Sequence, residues 1–229
     1  MYTHAPVLIK VKPQDRQRSN WLMAQEQRAI AWLCPRIPAS ISSNALTVLG
    51  ILGSVLIGSA LLLGKQQREW LWLGIFGLAV NWFGDSLDGR LAYYRKRSRK
   101  WYGFALDMMS DWISLSCMTL ALAYYLPWPI VPQMLAAAYG ARMLLALLQY
   151  KITREYRIDS GKLGPTEARL IMAMAFVGEI FLPTSLLWLS LLALLLLVLV
   201  DTFEFLQLLR HADTRDRIER AEDAAKSAR

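Results

Sequence analysis

The sequence predicts an all-α integral membrane protein: six transmembrane helices preceded by an amphipathic helix on the membrane surface. Three observations carry this reading. Hydrophobic residues make up 55% of the 229, with nine Trp and a mean hydropathy of +0.28, too apolar for an ordinary soluble domain. The apolar residues gather in six runs, each roughly as long as the 17–25 residues a bilayer-spanning helix needs. The net charge is +8, but the basic residues cluster between those runs. That distribution suits anionic lipid headgroups, and no nucleic-acid partner is expected.

Residues 1–43 form a polar to amphipathic juxtamembrane segment with no cleavable signal peptide expected. Trp21, Leu22, Ile30, Trp32 and Leu33, set among Gln25, Gln27 and Arg28, fit a helix lying on the bilayer, which Pro35 and Pro38 end. Ser43-Asn44 offers a cap for a first span, Ala45 to Leu63. The second run goes from Trp70 to about Ala92 and the third from about Tyr102 to Leu126, closed by the turn Pro127-Trp128-Pro129. The fourth covers Ile130 to Tyr150, the fifth Thr166 to Leu182 before Pro183, and the sixth Leu186 to about Leu208. The helical domain is therefore 44–208, followed by a charged, helix-prone tail, 209–229. Cys34 and Cys117 have no metal or redox spacing and read as packing residues.

Loop charges set an orientation. The N-terminal segment carries six Lys/Arg, the loop after the second run five, the loop after the fourth four and the tail six, whereas the opposite loops hold only Lys65 and Arg68. The positive-inside rule then puts both termini in the cytoplasm, and a bacterial inner membrane is the expected location.

Four carboxylates break the apolar pattern. Asp85 and Asp88 close the charge-free run Trp70 to Phe83, and Asp107 and Asp111 open one that is uncharged to Tyr150 apart from Arg142. Spacings of three and four put each pair on one helix face. An acid at the centre of a membrane helix costs about 2.5–3.5 kcal/mol, so four together call for a compensating cation near a wet edge. Oxygen ligands without His or Cys favour a hard ion, Mg²⁺ or Mn²⁺, which could neutralise a diphosphate and leave one carboxylate as a base. Small Gly89 and Ala92 would let a substrate or another helix approach. Two other readings stand beside this one: acids that merely pair with Arg90, Arg95 or Arg142, and an ion path through a channel or transporter. The second lacks the expected repeat.

These residues resemble the signature of the CDP-alcohol phosphotransferases, also called CDP-alcohol phosphatidyltransferases. That signature reads Asp, two residues, Asp-Gly, two residues, Ala-Arg, about eight residues, Gly, three residues, Asp, three residues, Asp. Here it appears as Asp85, Asp88-Gly89, Ala92, Gly103, Asp107 and Asp111, with a spacer of nine before Gly103. The Asn44-Ala-Leu-Thr47 entry to the first span is also similar. The resemblance implies that Asp85, Asp88, Asp107 and Asp111 hold a divalent metal pair and that Asp111 deprotonates an acceptor hydroxyl. It implies that Asn44, Thr47, Gly89, Ala92 and Gly103 border the substrate. The implied chemistry is attack of an alcohol on a CDP-linked donor with release of CMP. The donor is expected to be CDP-diacylglycerol and the acceptor a small polar alcohol. The alternatives are a CDP-headgroup donated to a lipid alcohol, and a non-catalytic relative that binds nucleotide-lipid or a cation. A homodimer among membrane lipids is implied as well. One position departs: Tyr93 stands where the family has Arg and cannot supply its charge. Arg95 or Arg90 is expected to replace it.

Further polar residues lie near the membrane. Lys162, Glu167 and Arg169, around the start of the fifth run, either line an acceptor pocket or serve ordinary helix-start chemistry. Arg142 inside the fourth run either faces a polar cavity, binding a phosphate or the acceptor, or pairs with Glu179 or Glu167. Asp201 and Glu204 receive no role, nor do His4 and His211. The tryptophans read as core or interface-belt residues.

Overall fold

The computed structural model describes residues 22–153 and 164–227, and among these no strand occurs. The chain begins with α1 (Met23–Leu33), which tightens into a 3₁₀ turn at Cys34–Arg36, where Pro35 removes a helical donor. Six longer helices follow: α2 (Ser43–Gly64), α3 (Leu71–Tyr94), α4 (Lys100–Tyr125), α5 (Ile130–Thr153), α6 (Pro165–Phe181) and α7 (Ser185–Ser227). Their starts and ends lie close to the apolar runs read from the sequence, with two differences.

The first concerns the cap of α2. Ser42, with extended backbone, accepts the Ala45 N–H on its Oγ at 3.1 Å, so the cap is Ser42 and not Ser43 or Asn44. Asn44 already sits inside the first turn and sends its amide elsewhere. The second concerns the chain after residue 208. No Gly or Pro occurs from Ser185 to Ser227, and α7 runs through unbroken. Pairs one turn apart, Arg215 with Glu219 at 2.7 Å and Asp213 with Arg217 at 2.9 Å, decorate its polar half. Residue 209 therefore marks a change of composition within one helix.

Among the described residues three helical stretches are long and apolar enough to cross a membrane: Ser43–Gly64, Ile130–Thr153 and Ser185–Ala221. Helix α6 is short, with 17 residues. Helices α3 and α4 carry the four acids and most of the polar residues of the site. The features that build the site are thus the ones that make these helices less apolar.

Packing is closest between α2 and α3, and glycines cause it. A Cβ at Gly53 would lie 2.4 Å from the Asn81 backbone nitrogen, and one at Gly84 would lie 2.3 Å from that of Gly50. The two backbones touch, which only residues without a side chain permit. At the far end of the bundle the core is built by Ile57, Leu61, Leu71, Leu78, Tyr125 and Phe176. The ring of Phe176 on α6 lies against Gly74 of α3. A smaller cluster near the site joins Ile30 and Cys34 to Leu46, Leu87 and Leu91, so α1 buries one face on α2 and α3. At the far end Glu179 accepts from Tyr125 Oη (3.0 Å), Thr184 N (3.1 Å), Ser185 Oγ (3.2 Å) and Leu186 N (2.7 Å). Its carboxylate closes the tight turn into α7, where Thr184 has φ of 75°.

Candidate metal and substrate site

The last turns of α3 carry Asp85 and Asp88, and the first three turns of α4 carry Asp107 and Asp111. Both helices pack on α2, which brings these two ends to the same cleft. Asp85, Asp107 and Asp111 each offer an oxygen, all within 4.8 Å of one another. Asp88 lines the same cleft, together with Thr47, Asn81, Ser110 and Ser114. Its Oδ2 accepts from Thr47 Oγ1 at 2.6 Å, and its Oδ1 accepts from the Gly89 N–H. The close α2–α3 seam is what brings Thr47 to this carboxylate.

Asp85 is held by α6. Arg169 Nη2 lies 2.5 Å from Asp85 Oδ2, and Arg169 Nε donates to Asn81 Oδ1 at 2.7 Å. Asn81 passes the connection on, donating to the Gly50 carbonyl and to Ser54 Oγ, both at 3.0 Å. A buried amide thus joins three helices and fixes the guanidinium that faces the acid. Asn81 was not singled out in the sequence, although an Asn inside an apolar run is itself a signal. Tyr139 on α5 was also missed; it sits among the charges of Asp111, Arg169, Asp85 and Arg142.

Gly89 and Gly103 face open space: a Cβ built on either meets nothing within 4 Å. Asn44 lies at the rim, donating to Tyr102 Oη at 3.0 Å, and Arg99 stacks over the Tyr102 ring, 3.8 Å from its centroid.

Other expected residues have different surroundings. Arg95 gives its guanidinium to three carbonyls, those of Ile41 (2.5 Å), Ile37 (3.1 Å) and Pro38 (2.8 Å), and so ties the loop before α2 to the end of α3. Burial pushes the Cys34 thiol up, while the charges of Arg90 and Arg95 pull it the other way. Glu167 is buried and accepts from Leu22 N at 2.8 Å and Gly164 N at 3.1 Å, joining the starts of α6 and α1. Arg142 pairs neither with Glu179 nor with Glu167. It lies 2.5 Å from Asp201 and 3.3 Å from Glu204, because α7 packs along α5 and Glu179 is occupied at the turn into α7. Ala92 is half-buried on α3, three residues after Gly89. Lys162, with Arg154, Arg157, Trp21 and His4, lies outside the described residues.

The donor set fits a hard divalent cation: carboxylate oxygens alone, converging from two helices, with hydroxyl groups beside them. A larger hollow lined by Thr153, His211 and Arg215 lies between the ends of α5 and α7 and holds none of these acids. No curated protein sequence matches the chain. A family model, CDP-alcohol phosphatidyltransferase, matches residues 40–202, which span the cleft and six of the seven helices in whole or part. The chain therefore belongs to the CDP-alcohol phosphatidyltransferase family, membrane transferases of phospholipid synthesis that move a phosphatidyl-type group from a CDP-alcohol to an acceptor.

Proposed function

We propose that this protein transfers the phosphatidyl group of CDP-diacylglycerol to the hydroxyl of a small polar alcohol and releases CMP. The observation that carries the reading is the convergence of Asp85, Asp107 and Asp111 beneath the open faces of Gly89 and Gly103. Mg²⁺ or Mn²⁺ held by these acids and Asp88 would neutralise the diphosphate. Asp111 takes the proton of the acceptor hydroxyl as that oxygen attacks the phosphorus bearing the lipid. A new P–O bond forms there, the bond to the cytidylate oxygen breaks, and CMP leaves with the electron pair. Arg169 orients Asp85, Thr47 orients Asp88, and neither has to move during the reaction. Lys162 is assigned to the acceptor from the sequence alone, and Arg169 acts through Asp85.

In this reading α2 to α7 all cross the bilayer, α1 lies on its surface, and both termini and the cleft face the cytoplasm. The basic loops support that orientation. A homodimer belongs to the proposal through the family resemblance. The test is product identification by mass spectrometry, with CDP-diacylglycerol or CDP-linked headgroups offered against pools of small alcohols and diacylglycerol. A phospholipid formed from CDP-diacylglycerol and one alcohol pool supports the assignment. Product from a CDP-headgroup and diacylglycerol alone would reverse donor and acceptor.

A further inference from the structure

The chain keeps the family's signature but has Tyr93 at its arginine position, so that position supplies no charge to support a metal-bound diphosphate. We propose that Arg99, laid on the ring of Tyr102, binds the diphosphate of the CDP-linked donor. The inference rests on the transfer reading given above.

Two arginines near the cleft, Arg95 and Arg169, are committed. Arg95 spends its guanidinium on the carbonyls of Ile37, Pro38 and Ile41. Arg90 follows Asp88 by two residues, about 200° round the helix, and so leaves α3 on another face. Arg169 is taken up by Asp85 and Asn81. Arg99 differs in kind. It is exposed, its flat face covers the Tyr102 ring at 3.8 Å, and it reaches Asn44 Oδ1 with one long hydrogen bond of 3.4 Å. A guanidinium held by its face keeps its edge, the fork that matches a phosphate, available.

Its place is also right. Asn44 is about one turn before Thr47, whose hydroxyl reaches Asp88, and Tyr102 adjoins Gly103, about one turn before Asp107. The Arg99–Tyr102–Asn44 group therefore bridges the mouth between α2 and α4: along the helix axes Asn44 lies about 5 Å outward of Thr47, and Tyr102, under the Arg99 guanidinium, about 7–8 Å outward of Asp107. A diphosphate seated at those acids and running out over Gly103, where nothing lies within 4 Å of a built Cβ, passes the guanidinium edge. Tyr102 and Asn44 act here as positioning residues: the ring sets the plane, and the amide fixes the ring through its hydroxyl.

The experiment compares wild type with Arg99→Gln, Arg99→Lys and Arg99→Gln/Tyr93→Arg in detergent. It reads CDP affinity by calorimetry, and donor KM, acceptor KM and kcat by CMP release. Arg99→Gln is expected to raise the CDP Kd and the donor KM by about ten- to a hundredfold, leaving acceptor KM within about twofold. Either Lys at 99 or Arg at 93 should recover part of the loss. A CDP Kd within about twofold of wild type for Arg99→Gln overturns the inference. So does a loss that neither replacement recovers, which would mark a structural role. Wild type that binds CDP yet forms no CMP from any CDP-alcohol would sink the transfer reading instead, with the Arg99 effect still read from affinity.

Discussion

Replacing Gly84 by Ala should break this protein, although in an isolated helix the same change is favourable by about 0.5–1 kcal/mol. The new Cβ would stand 2.3 Å from Gly50 N and 2.5 Å from Leu46 O, where ordinary contact begins at 3.4 Å. Both obstacles are backbone, so no side chain can turn away, and α2 and α3 must part by about 1 Å. The Thr47–Asp88 hydrogen bond, now 2.6 Å, would open to about 3.6 Å, beyond bonding range. The bond from Asn81 to the Gly50 carbonyl, now 3.0 Å, would go with it. Overpacking costs about 1–3 kcal/mol, and each polar group left without its partner adds about 1–3 kcal/mol. Against a favourable helix term of up to about 1 kcal/mol, the net loss is about 2–8 kcal/mol, a fall in detergent melting temperature of several degrees or more. Turnover should fall by about a hundredfold, as a 1 Å misplacement of positioned groups does. Gly89→Ala is the internal control, since its Cβ meets nothing within 4 Å. It should melt no lower than wild type while obstructing the substrate's approach. Gly84→Ala melting at or above wild type would refute the argument that backbone contact sets the seam.

Two further predictions concern buried charge. Arg142→Met leaves Asp201 buried without its cation and should lower stability by about 3–5 kcal/mol. Adding Asp201→Leu should return most of that in thermal melts, and no recovery would mean the pair does not carry the α5–α7 contact. Glu179→Ala removes the acceptor of four hydrogen bonds and should cost about 2–4 kcal/mol. Glu179→Gln, which keeps one carbonyl oxygen, should lose less, and equal losses would show that the volume of the side chain matters more than its bonds.

Helix starts and ends were legible because Pro35, Pro127, Pro129 and Pro183 punctuate long apolar runs. The carboxylate set was legible for the same reason: acids are conspicuous in such runs, and spacings of three and four share a helix face. Partners across the bundle were not. Arg142 finds Asp201 and Glu204 about sixty residues away, and nothing local distinguishes them from Glu179 or Glu167. Asn81 carries no charge, so it passed for one polar residue among many until the seam placed it between Gly50 and Arg169. The identity of the α2 cap depended on the backbone angles of Ser42, which the run Ser42-Ser43-Asn44 leaves open. The role of Arg95 was hidden too, because its partners are main-chain carbonyls that no side-chain pattern reveals.

The central claim is that the carboxylates of α3 and α4 support metal-dependent transfer with Asp111 as the base. CMP formation from CDP-diacylglycerol and a mixed pool of alcohols, by purified wild type beside Asp111→Asn, tests it most directly. The account predicts CMP release that stops on chelation, returns with Mg²⁺ or Mn²⁺, and falls by at least about a thousandfold in Asp111→Asn. CMP release equal in wild type and Asp111→Asn, or absent from wild type with lipid and headgroup donors alike, would contradict it.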